Sequence, residues 1–274
     1  METSRRNLAS RHSDNLGPDH VNVSRTFFGL ANVQRDLGNL RQAKEYCERA
    51  LKIELRKLGP EHDDVALTYS NLGGIHRELC ELEQAKECFE IALNIKLKKL
   101  GPEHVDVAPT YHKLGEVHRR LGDLQQAKEC HEKALAVNRK NLEPEHVDMA
   151  NSYHHLGNVQ FELNNMQEAK ELYERAKDIQ LKNLEHDHVY VAFSYHSLGN
   201  VHRNLGDLEL AKEFYERALD IRSKKLGPEH SVVERTRLEL CEVQRSLDDL
   251  QNGIEHHELN VERDHEQRKC CVVS

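Results

Sequence analysis

The chain has 274 residues, of which 38% are hydrophobic and none is Trp, a composition that disfavours an enzyme built around one deep core. A formal net charge of -8 with 31% charged residues speaks against a nucleic-acid backbone as partner. The opening METSRRNLASRHSD lacks the apolar run of a signal peptide, and no stretch of about 18 apolar residues follows, so a cytoplasmic location is expected.

Residues 1–15 read as a disordered lead. From there a five-residue break recurs: LGPDH at 16–20, LGPEH at 58–62, 100–104 and 226–230, and the decayed copies LEPEH at 142–146 and LEHDH at 184–188. The leading leucines are 42 residues apart throughout. Between breaks the pattern is uniform, and residues 105–141 show it well. Val107, Tyr111, Leu114 and Val117 recur at helical spacing, as do Leu124, Ala127, Cys130, Ala134 and Val137, with a tight turn at Gly122-Asp123 between them. Each repeat is therefore expected to be two antiparallel helices. In the break itself Gly permits an open C-terminal conformation, Pro stops the helix, and the closing His leads into the next helix start.

The repeats fill residues 16–247. A degenerate capping helix is expected over 248–265, where Gly253, His257 and Asn260 replace the Ala, aromatic or Cys, and Ala of other repeats. A flexible tail follows at 266–274. Of seven cysteines, Cys47, Cys80, Cys88, Cys130 and Cys241 fall in helical patterns as reduced, partly buried thiols, and no C-x-x-C pair exists.

Neither helix of such a pair buries its apolar stripe alone, so the hairpins must stack. Two alanine registers mark close helix approach: Ala43, Ala85, Ala127, Ala169 and Ala211, then Ala50, Ala92, Ala134, Ala176 and Ala218. With Tyr69, Leu72, Gly73, His76, Ala85, Phe89 and Ala92, and again Tyr195, Leu198, Gly199, His202, Ala211, Tyr215 and Ala218, the chain resembles the tetratricopeptide repeat (TPR) family. The 42-residue period is similar to the longer variant of kinesin light chain and nephrocystin-like repeats. The resemblance implies an all-α fold, a right-handed TPR solenoid of antiparallel helical hairpins. The sequence departs from the family at the second aromatic of the first helix, which is Gln34, His76, His118, Gln160 and His202.

The same resemblance implies a noncatalytic adaptor whose first helices line a concave groove for partner peptides. The groove positions are then Asn32, Arg35, Arg77, His112, Arg119, His154, Asn158, His196, Asn200 and Arg203. Arginine forks, amides and imidazoles hold a peptide's backbone and carboxylates. The plainer reading is a solvated face, with Glu78, Glu116 and Glu162 as intramolecular partners for the arginines. A structural or self-assembly module without a peptide ligand is the rival reading.

No phosphate loop, zinc-protease or serine-hydrolase motif is present, and no cofactor is expected. The break histidines His20, His62, His104, His146, His188 and His230 would stand about 16–20 Å apart in stacked hairpins, too far to share a metal. They are assigned to the helix start, beside Asp63, Asp106 and Asp148. The final CVVS fits a C-a-a-X signal, with Cys271 as farnesyl acceptor and Cys270 as palmitoyl acceptor. That motif raises the expectation of a peripheral site on the cytoplasmic face of a membrane.

Overall fold

The computed structural model describes residues 20–272, and their side chains as far as Asn252. It divides into two compact units, the first ending at Pro144 and the second starting at Glu145. The first holds three hairpins: α1 (Val21–Asp36) with α2 (Leu40–Lys57), α3 (Asp63–Glu78) with α4 (Leu82–Leu100), and α5 (Ala108–Leu121) with α6 (Leu124–Asn141). The second holds α7 (Val147–Glu162) with α8 (Met166–Asn183), α9 (Val189–Leu205) with α10 (Leu208–Leu226), and the single helix α11 (Ser231–Val272). Each unit is thus an all-α stack of paired helices, as the 42-residue period requires. Before α5 one 3-10 turn, Val105–Val107, leads up to Pro109, whose missing N–H falls in the first helical turn.

Each break histidine caps the helix it precedes. In all six, Nδ1 accepts from the backbone N–H two residues on, at 3.1 to 3.2 Å: His20 from Asn22, His62 from Asp64, His104 from Asp106, His146 from Asp148, His188 from Tyr190 and His230 from Val232. This is the bond an N-cap side chain makes to an otherwise orphaned donor, and it requires an unprotonated Nδ1. At the other end of the break, Gly59, Gly101 and Gly227 take positive φ. Where Glu143 and Glu185 replace that Gly, the chain leaves the helix through extended Leu142 and Leu184 instead. There Asn141 Nδ2 donates to the carbonyls of Val137 and Glu103, and Asn183 Nδ2 to those of Ile179 and Glu145. In both places an amide in the last turn ties the helix end to the preceding break.

Both alanine registers are fully buried. A second small residue decides how close the helices of a hairpin come. A Cβ built on Gly73, Gly115, Gly157 or Gly199 would stand 2.9, 2.7, 2.6 or 2.8 Å from the ring of Phe89, His131, Tyr173 or Tyr215 respectively. Only in the first hairpin does the register carry a side chain, Ala31, and there its partner register shrinks to Cys47.

The Gln and His residues in the second aromatic position are buried, and all but His118 fasten the hairpin turn by a hydrogen bond. Asn39 Nδ2 donates to Gln34 Oε1 and Asn165 Nδ2 to Gln160 Oε1, both at 2.9 Å. His76 Nδ1 stands 2.5 Å from Glu81, His202 Nδ1 3.1 Å from Asp207, and His118 Nδ1 3.6 Å from Asp123. Amide meets amide and imidazole meets carboxylate, so the two positions are chemically matched five residues apart. The turn itself needs positive φ, supplied by Gly38, Gly122 and Gly206 and, against the usual preference, by Cys80 and Asn164.

Successive hairpins are joined by a buried polar contact at a fixed register. Glu54 is bonded by Thr68, Lys96 Nζ donates to Thr110 Oγ1 at 2.9 Å, Ser194 Oγ donates to Gln180 Oε1 at 2.8 Å, and Arg222 Nη1 donates to Thr236 Oγ1 at 2.6 Å. Burial raises the Glu54 carboxyl and lowers the Arg222 guanidinium to about 10.

The sixth repeat differs. No turn separates residues 247 and 248, and the segment expected as a separate capping helix is continuous with α11. Gln244, in the register of the turn latch, donates instead to Asp248 one helical turn on, at 2.8 Å. Position 248 has Asp where the other turns have a residue at positive φ. Two of the five helical cysteines also depart from expectation. Cys80 is exposed in the α3–α4 turn and Cys241 is exposed on α11, whose following residues form no second helix to cover it. Cys47, Cys88 and Cys130 are buried, and burial pushes their thiols up to about 12, 11 and 11.

Gly157→Ala is expected to cost about 1–3 kcal/mol through overpacking against Tyr173, read as a lower melting temperature. Adding Tyr173→Cys should recover part of the loss by copying the Ala31 and Cys47 pair, and a double variant worse than the single would refute the complementarity. In a Cys270→Ser/Cys271→Ser background, a thiol reagent at neutral pH should modify Cys80 and Cys241 rapidly and Cys47, Cys88 and Cys130 only on unfolding. Peptide mass spectrometry reads the order, and rapid labelling of Cys47 would contradict it.

Candidate protein-binding face

The first helix of each hairpin turns one side toward its second helix and leaves another side that carries the positions equivalent to Ser70, Asn71, Gly74 and Arg77. In the first unit that side is cationic. Arg35 on α1 reaches to the next hairpin, where Nε donates to Glu78 Oε1 at 2.9 Å, Nη2 also contacts this oxygen, and Nη1 donates to Asn71 Oδ1 at 3.3 Å. The Glu78 carboxylate holds the Arg35 guanidinium above its usual value. Asn71 Nδ2 in turn donates to Asn32 Oδ1 at 2.6 Å. Arg119 on α5 is gripped by Glu116 of its own helix, with Nε and Nη2 donating to separate oxygens at 2.9 and 2.8 Å. His112 Nδ1 faces His131 Nδ1 at 3.0 Å, one ring donating and the other accepting.

Arg77 on α3 is arranged differently. The residue 43 positions after Arg35 is Glu78, but 43 positions after Arg77 comes Arg120. Glu116, 39 positions on, is held by Arg119. Among the described residues Arg77 has no carboxylate partner. It lines an open cavity of about 160 Å³ between α1, α3 and α5, together with Arg35, Lys113, Asn71, Ser70 and Phe89. The Lys113 ammonium lies 6.0 Å from the Phe89 ring centre, and burial, then Lys96, Arg35 and Arg77, lowers its pKa. Ser70 is 6% exposed and its hydroxyl has no hydrogen-bond partner. Gly74 forms part of the wall where the neighbouring repeats carry Asn32 and Glu116, and a Cβ there would come 3.3 Å from the Arg35 fork.

In the second unit the same registers carry aromatic and amide chemistry. Tyr173 and Tyr215 pass over Gly157 and Gly199, and their hydroxyls donate to Asn158 Oδ1 at 2.8 Å and Asn200 Oδ1 at 2.5 Å. Burial, the largest cause, raises the Tyr215 hydroxyl above its ordinary range. His154 packs on the Tyr173 ring, with centres 5.2 Å apart, and burial, then His155 and His196, lowers its imidazole to about 3. His196 Nε2 stands 2.5 Å from Glu239, and Arg203 Nη1 is 3.2 Å from Glu242.

The ten groove positions expected from sequence therefore share equivalent faces of their helices, but only some face outward uncommitted. Arg35, Arg119 and Arg203 are paired internally, as the plainer reading anticipated for the first two through Glu78 and Glu116. Sequence reasoning missed Asn71, Lys113 and Glu239, which form a register one residue beyond Ser70, His112 and Leu238. The signal that could have found the cavity was Gly74, a glycine in a register of amides and carboxylates.

Cys270 and Cys271 lie in the last turn of α11, but their side chains, and Val273 and Ser274, lie outside the described residues. Among the described residues no three His, Cys, Asp or Glu side chains converge on one point to hold a metal, and no helix is long and apolar enough to cross a membrane.

A search of curated proteins found no match. Among solved structures, a Podosopora anserina putative kinesin light chain with nearly identical TPR-like repeats is 27% identical with a TM-score of 0.63, over 75% of this chain and 97% of that one. A point variant of that same protein gives 27% and 0.64, over 76% and 97%. BtubC (BKLC) from P. vanneervenii, at 22% identity and a TM-score of 0.66 over 82% of this chain and 88% of that one, is alike in fold. The family model described as tetratricopeptide repeat matches residues 29–98, 64–140, 106–182, 148–224 and 190–259. That fold is a noncatalytic scaffold for protein–protein contacts. With hairpins, alanine registers and family matches in one phase, the chain belongs to the tetratricopeptide repeat family, in a form with 42-residue repeats.

Proposed function

We propose that this scaffold is an adaptor that binds peptides of partner proteins in a groove along the first helices of its hairpins. The observation that carries the reading is Arg77. Arg35, Arg119 and Arg203 are neutralised within the chain, as expected of a solvated structural face, whereas Arg77 faces an open cavity beside Lys113 with no carboxylate of its own. An uncompensated cation next to unused hydrogen-bonding groups attracts an external anion or carbonyl. A partner is then read through charged and polar side chains, with Asn32 and His112 as further contacts in the first unit and His154, Asn158, His196 and Asn200 on the equivalent face of the second.

A lipid anchor is the second part of the proposal. Where the CVVS tetrapeptide closes the translated chain, Cys271 accepts a farnesyl group. One such chain holds a membrane only marginally, and a palmitate on Cys270 would make the attachment stable. The adaptor would then work at the cytoplasmic face of a membrane.

Arg77→Glu should reduce recovery of partner proteins from a cell lysate, while Arg41→Glu, an exposed charge change on α2, should leave it intact. Equal recovery by both folded variants would overturn the groove reading. Recovery of the chain's own copies and nothing else would identify a self-assembly module instead. For the anchor, intact mass and fractionation of the full chain beside Cys271→Ser decide: a wild type unmodified in cells that contain farnesyltransferase rules it out.

A further inference from the structure

We infer that the cavity between α1, α3 and α5 is a site for a phosphomonoester dianion, carried on a phosphorylated serine or threonine of a partner protein. The inference rests on the protein-binding reading of this face and adds the chemistry of what it recognises.

Charge balance is the first argument. Arg35, Arg77 and Lys113 bring three positive charges to the cavity, and Glu78 on Arg35 removes one. The remaining two match a phosphate monoester, which carries about −1.5 to −2 at neutral pH, and exceed a single carboxylate. The surplus follows from two departures from the repeat. Arg120 stands where the Arg35 pattern would supply a carboxylate, and Gly74 stands where the neighbouring repeats carry Asn32 and Glu116. Restoring either carboxylate would bring one next to Arg77 and reduce the excess.

Donor geometry is the second. Three phosphoryl oxygens need donors from several directions, and the cavity provides the Arg77 fork and the Lys113 ammonium, with the Ser70 hydroxyl buried in the wall behind them. Ser70 is more than nine-tenths buried, with no hydrogen-bond partner, in a wall of that cavity. A buried hydroxyl left unbonded is unfavourable, and an oxygen admitted by a small shift of the wall would relieve it. The open volume of about 160 Å³ is enough for a tetrahedral oxyanion.

Recess is the third. The donors lie between helices of neighbouring hairpins, with the exposed Leu67 among the lining residues. A side chain on an extended peptide reaches such a place more readily than a headgroup in a flat membrane. Lys113 reports on occupancy as well: its ammonium is disfavoured by burial and by three neighbouring cations, and a bound dianion reverses the second effect. Binding at alkaline pH should therefore take up protons.

The test uses the full chain and three oriented peptide libraries that differ only in a central phosphoserine, serine or glutamate. The phosphoserine library should be retained about tenfold or more over both others, the worth of one charge-assisted bond network, and inorganic phosphate should compete. Arg77→Gln and Ser70→Ala, each checked for unchanged helicity and melting, should lose about fivefold or more of that preference. Equal retention of the three libraries, or of glutamate and phosphoserine, overturns the inference. So does phosphoserine binding that Arg77→Gln leaves unchanged, or binding to phosphatidylcholine vesicles containing phosphatidic acid without binding to phosphopeptides. Lysate capture lost in Arg77→Glu without any phosphoserine preference would end this inference and leave the groove reading standing, whereas the preference without lysate capture would do the reverse.

Discussion

The contact on which the rest of the molecule depends is the one between a glycine on the first helix of a hairpin and the ring that lies across it. Phe89 over Gly73, His131 over Gly115, Tyr173 over Gly157 and Tyr215 over Gly199 each occupy space that a single Cβ would take. Because the ring lies across the helix, its far edge, though buried, reaches toward the side of the first helix that carries the neighbouring register. That is how Tyr173 and Tyr215, side chains of second helices, deliver hydroxyls to Asn158 and Asn200 on the outward face, and how Phe89 becomes part of the cavity beside Arg77. One packing constraint therefore sets the helix separation and furnishes the surface.

Much of this was legible because a tandem repeat prints each structural requirement several times. The hairpins, the alanine registers and the helix-start role of the break histidines follow from residues that recur every 42 positions. What stayed hidden were couplings between registers. Gln34 with Asn39 and His76 with Glu81 are ordinary pairs of polar residues until the turn geometry brings them together. The seam bonds, such as Gln180 with Ser194 and Arg222 with Thr236, hide for a second reason. Their first members range over acid, amide and base, so no shared chemistry marks the register, and only the facing hydroxyl stays constant. The continuity of α11 through Asp248 was likewise invisible, since a helix break there needed a residue at ease with positive φ and a latch partner, and Gln244 instead bonds along its own helix.

The same backbone place is filled by different means when a preferred residue is missing, and the substitutions come in pairs. Loss of the connector glycine at Glu143 and Glu185 coincides with Asn141 and Asn183, each of which bonds one carbonyl of its own helix and one of the preceding break. Ala31 coincides with Cys47. Such pairs identify departures that preserve the fold, because each change answers the other across a contact of van der Waals or hydrogen-bond length.

Departures without an answering partner have a different meaning. Arg120 in place of a carboxylate removes counter-charge from Arg77, although its own guanidinium is taken up by the Arg77 carbonyl and Cys80 Sγ, and Gly74 in place of Asn or Glu leaves the side of the cavity without a side chain. Helix stability does not call for either: glycine in a helix interior costs about 0.5–1 kcal/mol relative to Ala, and clustering Arg77 with Lys113 adds repulsion. In a repeat array, where every other position has several copies to compare with, an unfavourable departure is an observation in favour of the site proposed beside Arg77. The cavity at Arg77 combines the Gly74 departure, the lack of a carboxylate on Arg77 and an unbonded buried hydroxyl at Ser70, whereas Arg35, Arg119 and Arg203 each have a carboxylate partner.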